Sequence, residues 1–228
     1  MSKVKNVIKI SEAKAAKETS QDRSVTISPP KFETAAITIE GVSPYVQHKF
    51  SAKARNTMIA TQEAGSQSRK GKAREAKDFN AAYEGAMYRS KEGWYGIPAS
   101  AFRNAMISAC RIVGFKMTLA KLSLFTEADG FDAEDGTPLV RIIKGEPHMH
   151  LAPARNSNGS TDIRSRPMFD PGWKATVRVR WEASQFNATD VVNLLNRVGQ
   201  QVGIGEGRAD SRMSAGLGWG VFKIDVGD

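Results

Sequence analysis

Between Val202 and Phe222 the chain reads VGIGEGRADSRMSAGLGWGVF. Glycines stand at 203, 205, 207, 216, 218 and 220, with Arg208 and Arg212 among them. Glycine lacks Cβ, so its backbone can approach another group closely, and successive N–H groups can form a concave anion site. Arginine adds charge-assisted hydrogen bonds to the same anion. The pairing therefore suits a phosphate. A connection of tight turns before a last strand would use the same glycines. Two familiar phosphate fingerprints are excluded. The spacing G-x-G-x-G after a helix is not the dinucleotide pattern, which follows a strand. The stretch GSQSRKGKA (65–73) has five residues between its glycines and Ala73 where a magnesium-binding hydroxyl belongs.

Three histidines supply the other candidate chemistry. His148 and His150 are two apart and share one face of a strand, as a metal pair or an acid–base site would. Two imidazoles without a third ligand are a weak metal signal, and an edge-strand surface feature is the favoured reading. His48, beside Tyr45 and Lys49, is the third. No paired carboxylates or nucleophile–base arrangement stand out, so no catalytic residue, metal or cofactor is assigned. The acidic stretch EADGFDAEDG (127–136) misses the calcium-loop spacing and reads as a solvated turn.

Charge points the same way as the glycines. The 228 residues carry 33 Lys and Arg against 24 Asp and Glu, a net charge of 33 − 24 = +9. A basic excess of this size suggests an anionic partner, first of all nucleic acid. The excess is concentrated. Residues 49–77 hold Lys49, Lys53, Arg55, Arg69, Lys70, Lys72, Arg74 and Lys77, with Glu63 and Glu75 the only acids. Such a stretch is either a solvated insertion or a basic arm along a phosphate backbone. Tyr45 and Trp94, set among basic residues, are candidate stacking platforms for bases. The single cysteine, Cys110, excludes a disulfide framework and reads as a small core residue. A reducing, cytoplasmic setting is expected, with no signal core and no membrane span.

The elements that must position these groups follow from periodicity. TAAITIEGV (34–42) alternates as a first strand, and residues 1–30 before it read as a flexible tail. AMYRSKEGWYGI (86–97) is a hairpin turning at Lys91-Glu92-Gly93. In PASAFRNAMISACRIVG (98–114), Phe102, Ala105, Met106, Ala109, Cys110 and Val113 recur at helical spacing. Ser100 is its expected N-cap and Gly114 its C-terminal stop. LAKLSLFTEA (119–128) alternates as a strand, and PLVRIIKGEPHMHLAPA (138–154) as two. WKATVRVRWE (173–182) is the clearest strand, with Trp173, Ala175, Val177, Val179 and Trp181 on one face. Asn187, with Asp190 three residues on, caps a helix whose buried stripe is Val191, Leu194, Leu195 and Val198. WGVFKIDV (219–226) closes as a strand. With insertions at about 49–80 and 128–170 removed, the order is βαββαβ. That is an α+β, ferredoxin-like (RRM-like) core within a single domain spanning residues 31–228.

Two stretches together resemble a known family. LLNRVGQQVGIGEGRADSRMSAGLGWGVFKI (194–224) resembles the helix, glycine-rich loop and last strand of the RAMP superfamily, RNA-binding subunits of CRISPR effector complexes and their relatives. The pattern there is an apolar helix, G-x-G-x-x-R, a short gap, G-x-G and a strand. GIPASAFRNAMISACR (96–111) is similar to the family segment IPGSSLKGALRSALR that opens its first helix. The two cover roughly a quarter of the chain. The resemblance implies a core that holds single-stranded RNA by its backbone. Gly203, Gly205, Gly207, Arg208, Gly216 and Gly218 would form the loop against it, and Ser100 and Arg103 would lie near phosphates at a helix N-terminus. It further implies a non-catalytic subunit coating a guide RNA, beside copies of itself and other effector subunits. Three departures stand out. Ala99 replaces the family's glycine, and Arg103-Asn104 replaces Lys-Gly. No Asp occurs between Gly41 and Lys77, where target-cutting members carry one, which argues against cleavage. The expected nucleic-acid contacts are then Lys49, Lys53, Arg55, Arg69, Lys70, Lys72 and Arg212 beside those six loop residues and the helix pair. Single-stranded DNA is a second candidate ligand, since backbone and stacking contacts discriminate poorly. A self-assembling protein without nucleic acid and a histidine-dependent endoribonuclease are the alternatives.

Overall fold

The computed structural model describes residues 27–50, 52–63, 77–155, 159, 161–210 and 216–226. Contacts divide the chain into Met1–Pro30 and Lys31–Asp228. The second unit is the one described below. Of the tail expected over residues 1–30, residues 1–26 lie outside the described residues.

A mixed α+β body is built on antiparallel sheets. Strand β9 (Lys174–Glu182) is its axis. Its apolar face is Ala175, Val177, Val179 and Trp181, all buried, continuing from Trp173. Strict alternation forces this, because a strand sends successive side chains to opposite faces. Strand β1 (Phe32–Gly41) pairs antiparallel along the whole of β9, from Phe32 opposite Glu182 to Glu40 opposite Lys174. The outer edge of β1 takes the closing strand β10 (Phe222–Ile224). The other edge of β9 takes β4 (Leu124–Glu127) and then β6 (Pro138–Lys144), which in turn holds β3 (Gly96–Pro98) and β5 (Gly130–Phe131).

Two helices complete the core with the apolar face of this sheet. Helix α3 (Ala99–Ile112) contributes Phe102, Ala105, Met106, Ala109 and Cys110. Helix α5 (Ala188–Arg197) contributes Val191, Leu194 and Leu195, and begins with a capping box between Asn187 and Asp190. Between them in sequence lies α4 (Met117–Ser123). Earlier in the chain come α1 (Ala52–Glu63) and α2 (Phe79–Gly85). A second, three-stranded sheet has the order β2 (Tyr45–Val46), β8 (Thr161–Phe169), β7 (Pro147–Arg155). Among the described residues no helix is long and apolar enough to cross a membrane.

Several local expectations are corrected. The strand expected over 119–128 begins as helix α4, and only Leu124–Glu127 is extended. Ala120 and Ser123, three apart, are buried while Leu122 is 72% exposed, so the apolar alternation was a coincidence of helix spacing. Helix α3 starts one residue before Ser100, and Pro98 occupies its cap with no side-chain bond. Val113 is half exposed, already past the helix, and Gly114 follows at φ +74°. The closing strand is shorter than 219–226. The acidic stretch is not merely solvated, because Asp132 is fully buried.

Cys110 is fully buried in α3, and that burial pushes its thiol up to about 11. A thiol-reactive disulfide reagent at pH 8 should leave the native protein unlabelled and titrate one thiol only in denaturant. Rapid labelling of native protein would show that α3 opens locally.

Candidate nucleic-acid interface

The glycine segment is tied to its own fold before it can meet anything else. Helix α5 widens into a π-helical turn over Val198–Val202, and Gly203 stops it at φ +73° with its N–H on the Val198 carbonyl. The chain then runs across β2. Glu206 N–H donates to the Val46 carbonyl at 3.0 Å. Ile204 N–H donates to Gly220 O at 3.1 Å, and Gly220 N–H to Pro44 O at 2.7 Å. A Cβ on Gly205 would stand 2.6 Å from the Val46 carbonyl oxygen and 2.7 Å from the Tyr45 ring. Gly207 and Gly220 are closed in likewise, against Trp219 and Ile204. Gly216 and Gly218 differ: a Cβ there would meet no heavy atom of the described residues within 4 Å. The first group of glycines makes room for the protein itself.

Beside this knot lies a cleft of about 490 Å³. Its lining comes from three places that sequence keeps far apart. The glycine loop supplies Gly205, Gly207 and Arg208; α3 supplies Ala101, Asn104 and Ser108; His48 and Arg164 close a side. The small residues on α3 keep the cleft open, and Asn104 and Ser108 share a helix face four residues apart. A volume of this size is that of a ligand site.

Four arginines and two acids set the electrostatics. Arg208 donates to Gly205 O at 3.0 Å, which stiffens the loop. Arg166, on β8, donates from Nε to Glu206 Oε2 at 2.6 Å and lies 3.1 Å from His48 Nε2 through Nη2. Arg164 stands two residues before Arg166 in β8 and bears on His48. Burial, then the charges of Arg166 and Arg164, push the His48 imidazolium below its ordinary range, against the pull of Glu206. The neutral imidazole is thus the favoured form. Burial would raise Asp210, but hydrogen bonds from Ser108 and Arg111 hold it below the usual carboxylate range.

No protein-family model matches this chain, and no curated protein matches it either. The site must be read from its own residues.

Not every expected contact residue reaches the cleft. Gly205, Gly207 and Arg208 line it. Gly203 sits behind it at the helix stop. Lys49 is withdrawn altogether. It is 5% exposed, with Nζ 2.6 Å from Asp132 and 2.9 Å from Glu134. Its two acidic partners lie more than 80 residues away, so the local run of bases hid them. Arg103 is also committed elsewhere, donating to the Leu124 and Lys121 carbonyls and stacking over Phe125. Ser100 is exposed in the first turn of α3 but does not line the cleft. Arg55, on α1 with Lys53, pairs with Asp135 at 3.3 Å. Arg69, Lys70, Lys72 and Arg212 lie outside the described residues. Tyr45 is 2% exposed against Phe169 and Trp173, so it is core and not a platform, and burial pushes its phenol pKa far up. Trp94 is half-buried and bonded to Glu92.

His148 lies 3.7 Å from Asp170, and the His150 ring meets Trp219 edge-on. Among the described residues no group of three or more His, Cys, Asp or Glu is placed to hold a metal. Sequence reasoning missed Arg164, Arg166, Glu206, Asn104 and Ser108. A signal existed for the arginines: Asp162, Arg164 and Arg166 recur at period two in TDIRSRPMF, the mark of one strand face.

Proposed function

We propose that the protein is a non-catalytic subunit that holds single-stranded RNA by its backbone, as RAMP relatives do with a guide RNA. The observation that carries this reading is the cleft. It brings into one cavity the two stretches whose sequences resemble that family, the glycine loop and the start of α3, and adds Arg164 and Arg208. Strand order supports it. The antiparallel order β10, β1, β9, then β4 and β6, with α3 after β1 and α5 after β9, is compatible with the ferredoxin-like βαββαβ unit this reading requires. The cleft's amides and arginines suit phosphates, whereas Lys49, Arg55 and Lys77 of the basic arm are paired with Asp132, Asp135 and Asp162. In this reading the protein works in the cytoplasm beside further copies of itself and other effector subunits, with single-stranded DNA as the competing ligand.

Binding of labelled single-stranded RNA and DNA across a salt series tests it. Wild-type protein should bind RNA with an affinity that falls steeply with salt. In a variant with Arg164→Ala and Arg208→Ala, the slope of log K against log salt should shrink by about 1.4, at about 0.7 per single-strand phosphate contact. An unchanged slope would remove the cleft from the interface.

A second reading is a metal-independent endoribonuclease, favoured by one observation: His48 lines the cleft beside Arg164. RNA cleavage by wild-type protein that His48→Ala abolishes would establish it in place of the first.

A further inference from the structure

We infer that the carboxylate of Glu206 occupies a phosphate site, built from Arg166 and His48, and is displaced when a phosphate of the nucleic-acid backbone enters the cleft. This rests on the reading that an anionic backbone binds there. The geometry begins with the donors. A guanidinium has donors and no acceptor, so the 3.1 Å contact between Arg166 Nη2 and His48 Nε2 makes Nε2 the acceptor. A neutral imidazole then carries its proton on Nδ1. That Nδ1–H faces Glu206 Oε2 at 3.6 Å, and Arg166 Nε–H reaches the same oxygen at 2.6 Å. Arg166 from β8 and His48 from the segment after β2 thus face one anionic oxygen, Arg166 by a hydrogen bond and His48 from just beyond hydrogen-bond distance. Arg166 is held in place by a further bond from Nη1 to the Ser165 carbonyl at 3.0 Å. Its side chain is 12% exposed, so the donor is preorganised and partly desolvated.

The occupant is the movable part. The Glu206 side chain is 29% exposed, while its backbone N–H stays bonded to the Val46 carbonyl. It can therefore swing out through its own rotamers without the loop unravelling. Its position between Gly205 and Gly207 puts the carboxylate on the glycine loop, at the wall of the cleft. A phosphate oxygen can make the charge-assisted bond to Arg166 that the carboxylate makes, with the His48 Nδ1–H near enough to add a second. The carboxylate is then a resident competitor. It neutralises Arg166 in the empty protein, and it sets how much anionic charge a ligand needs in order to bind.

The test uses inorganic phosphate as the first probe and single-stranded RNA as the second. The His48 ring is followed by NMR during phosphate titration of the full chain, in wild type, Glu206→Ala and Glu206→Gln. Both variants should bind phosphate at least about tenfold more tightly than wild type, since like charge opposing an anion costs more than 1 kcal/mol. Adding Arg166→Gln to Glu206→Ala should abolish the His48 response. The glutamine variant guards against a misfolded alanine variant. Equal phosphate affinity in wild type and both variants, or a His48 ring that never responds, overturns the exchange. RNA affinity should rise in the same variants by a similar factor. If phosphate behaves as expected but no variant binds RNA, the anion site stands and the RNA reading falls. If RNA binds all three equally and phosphate leaves His48 unmoved, the RNA reading stands and the exchange falls.

Discussion

Replacing Asp132 with alanine should destabilise the fold by about 3–5 kcal/mol, the usual cost of breaking a buried ion pair from one side. Asp132 is 0% exposed. Its Oδ1 accepts from Lys49 Nζ at 2.6 Å, Glu134 N–H at 2.9 Å and Asp135 N–H at 3.1 Å, and its Oδ2 from Arg89 N–H at 3.2 Å. Alanine would leave the ammonium with Glu134 alone and orphan amides in a closed turn. Lys49→Met should cost less, because Asp132 keeps its backbone donors. Urea denaturation of both single variants and the double variant would separate these terms, and a loss under about 1 kcal/mol for Asp132→Ala would show that the turn holds without it. The pair also has a pH signature. Burial opposes the charge on Lys49, but the hydrogen bonds from Asp132 and Glu134 outweigh it and raise the lysine above its ordinary value. A raised base stabilises fully below the unfolded value and loses that stabilisation as pH rises through the folded one. Lys49→Met should therefore flatten the alkaline arm of the stability curve. The consequence for the site is direct, since Lys49 follows His48, and this anchor fixes where His48 meets the cleft.

Strand β9 and helix α5 were legible because their signals are local. Alternation over nine residues, or a capping box followed by an apolar stripe, decides an element without reference to the rest of the chain. In the second sheet β7 was read as a strand, but β8 was not, for the opposite reason. Strand β8 carries Asp162, Arg164, Arg166 and Pro167, and its burial pattern arises only once β7 and β2 flank it. The same holds for charge. Residues 49–77 read as a basic arm because the sequence shows bases side by side. It does not show that Lys49 meets Asp132 and that Arg55 meets Asp135, each at least 80 residues away. The glycine loop was recognisable by composition, and its arginine by spacing. Arg166 and Glu206, which meet across 40 residues, were not. Elements follow from nearest neighbours, whereas this site is assembled by pairings between strands.

The glycines of the loop divide into two kinds, and a pair of substitutions should separate them. Gly205→Ala is expected to cost about 2–5 kcal/mol, combining roughly 1–2 kcal/mol for a side chain at positive φ with about 1–3 kcal/mol for overpacking. Its φ is +78°, and the new Cβ would press on the Val46 carbonyl and the Tyr45 ring. The loop must then lift from β2, taking Glu206 and Arg208 with it. Gly216→Ala meets no atom of the described residues within 4 Å, so the backbone term of about 1–2 kcal/mol is the expected cost. Thermal unfolding and RNA binding, measured on both variants, should therefore move differently. Gly205→Ala should lose stability and binding together, because one knot supports the cleft. If Gly216 serves as a point of close approach for an RNA backbone, its alanine variant should lose affinity while melting within a few degrees of wild type. If affinity also stays at the wild-type level, close approach at Gly216 is not part of the interface. RNA recognition would then fall to Arg164, Arg166 and Arg208 around the cleft, with the glycines serving only the fold that presents them.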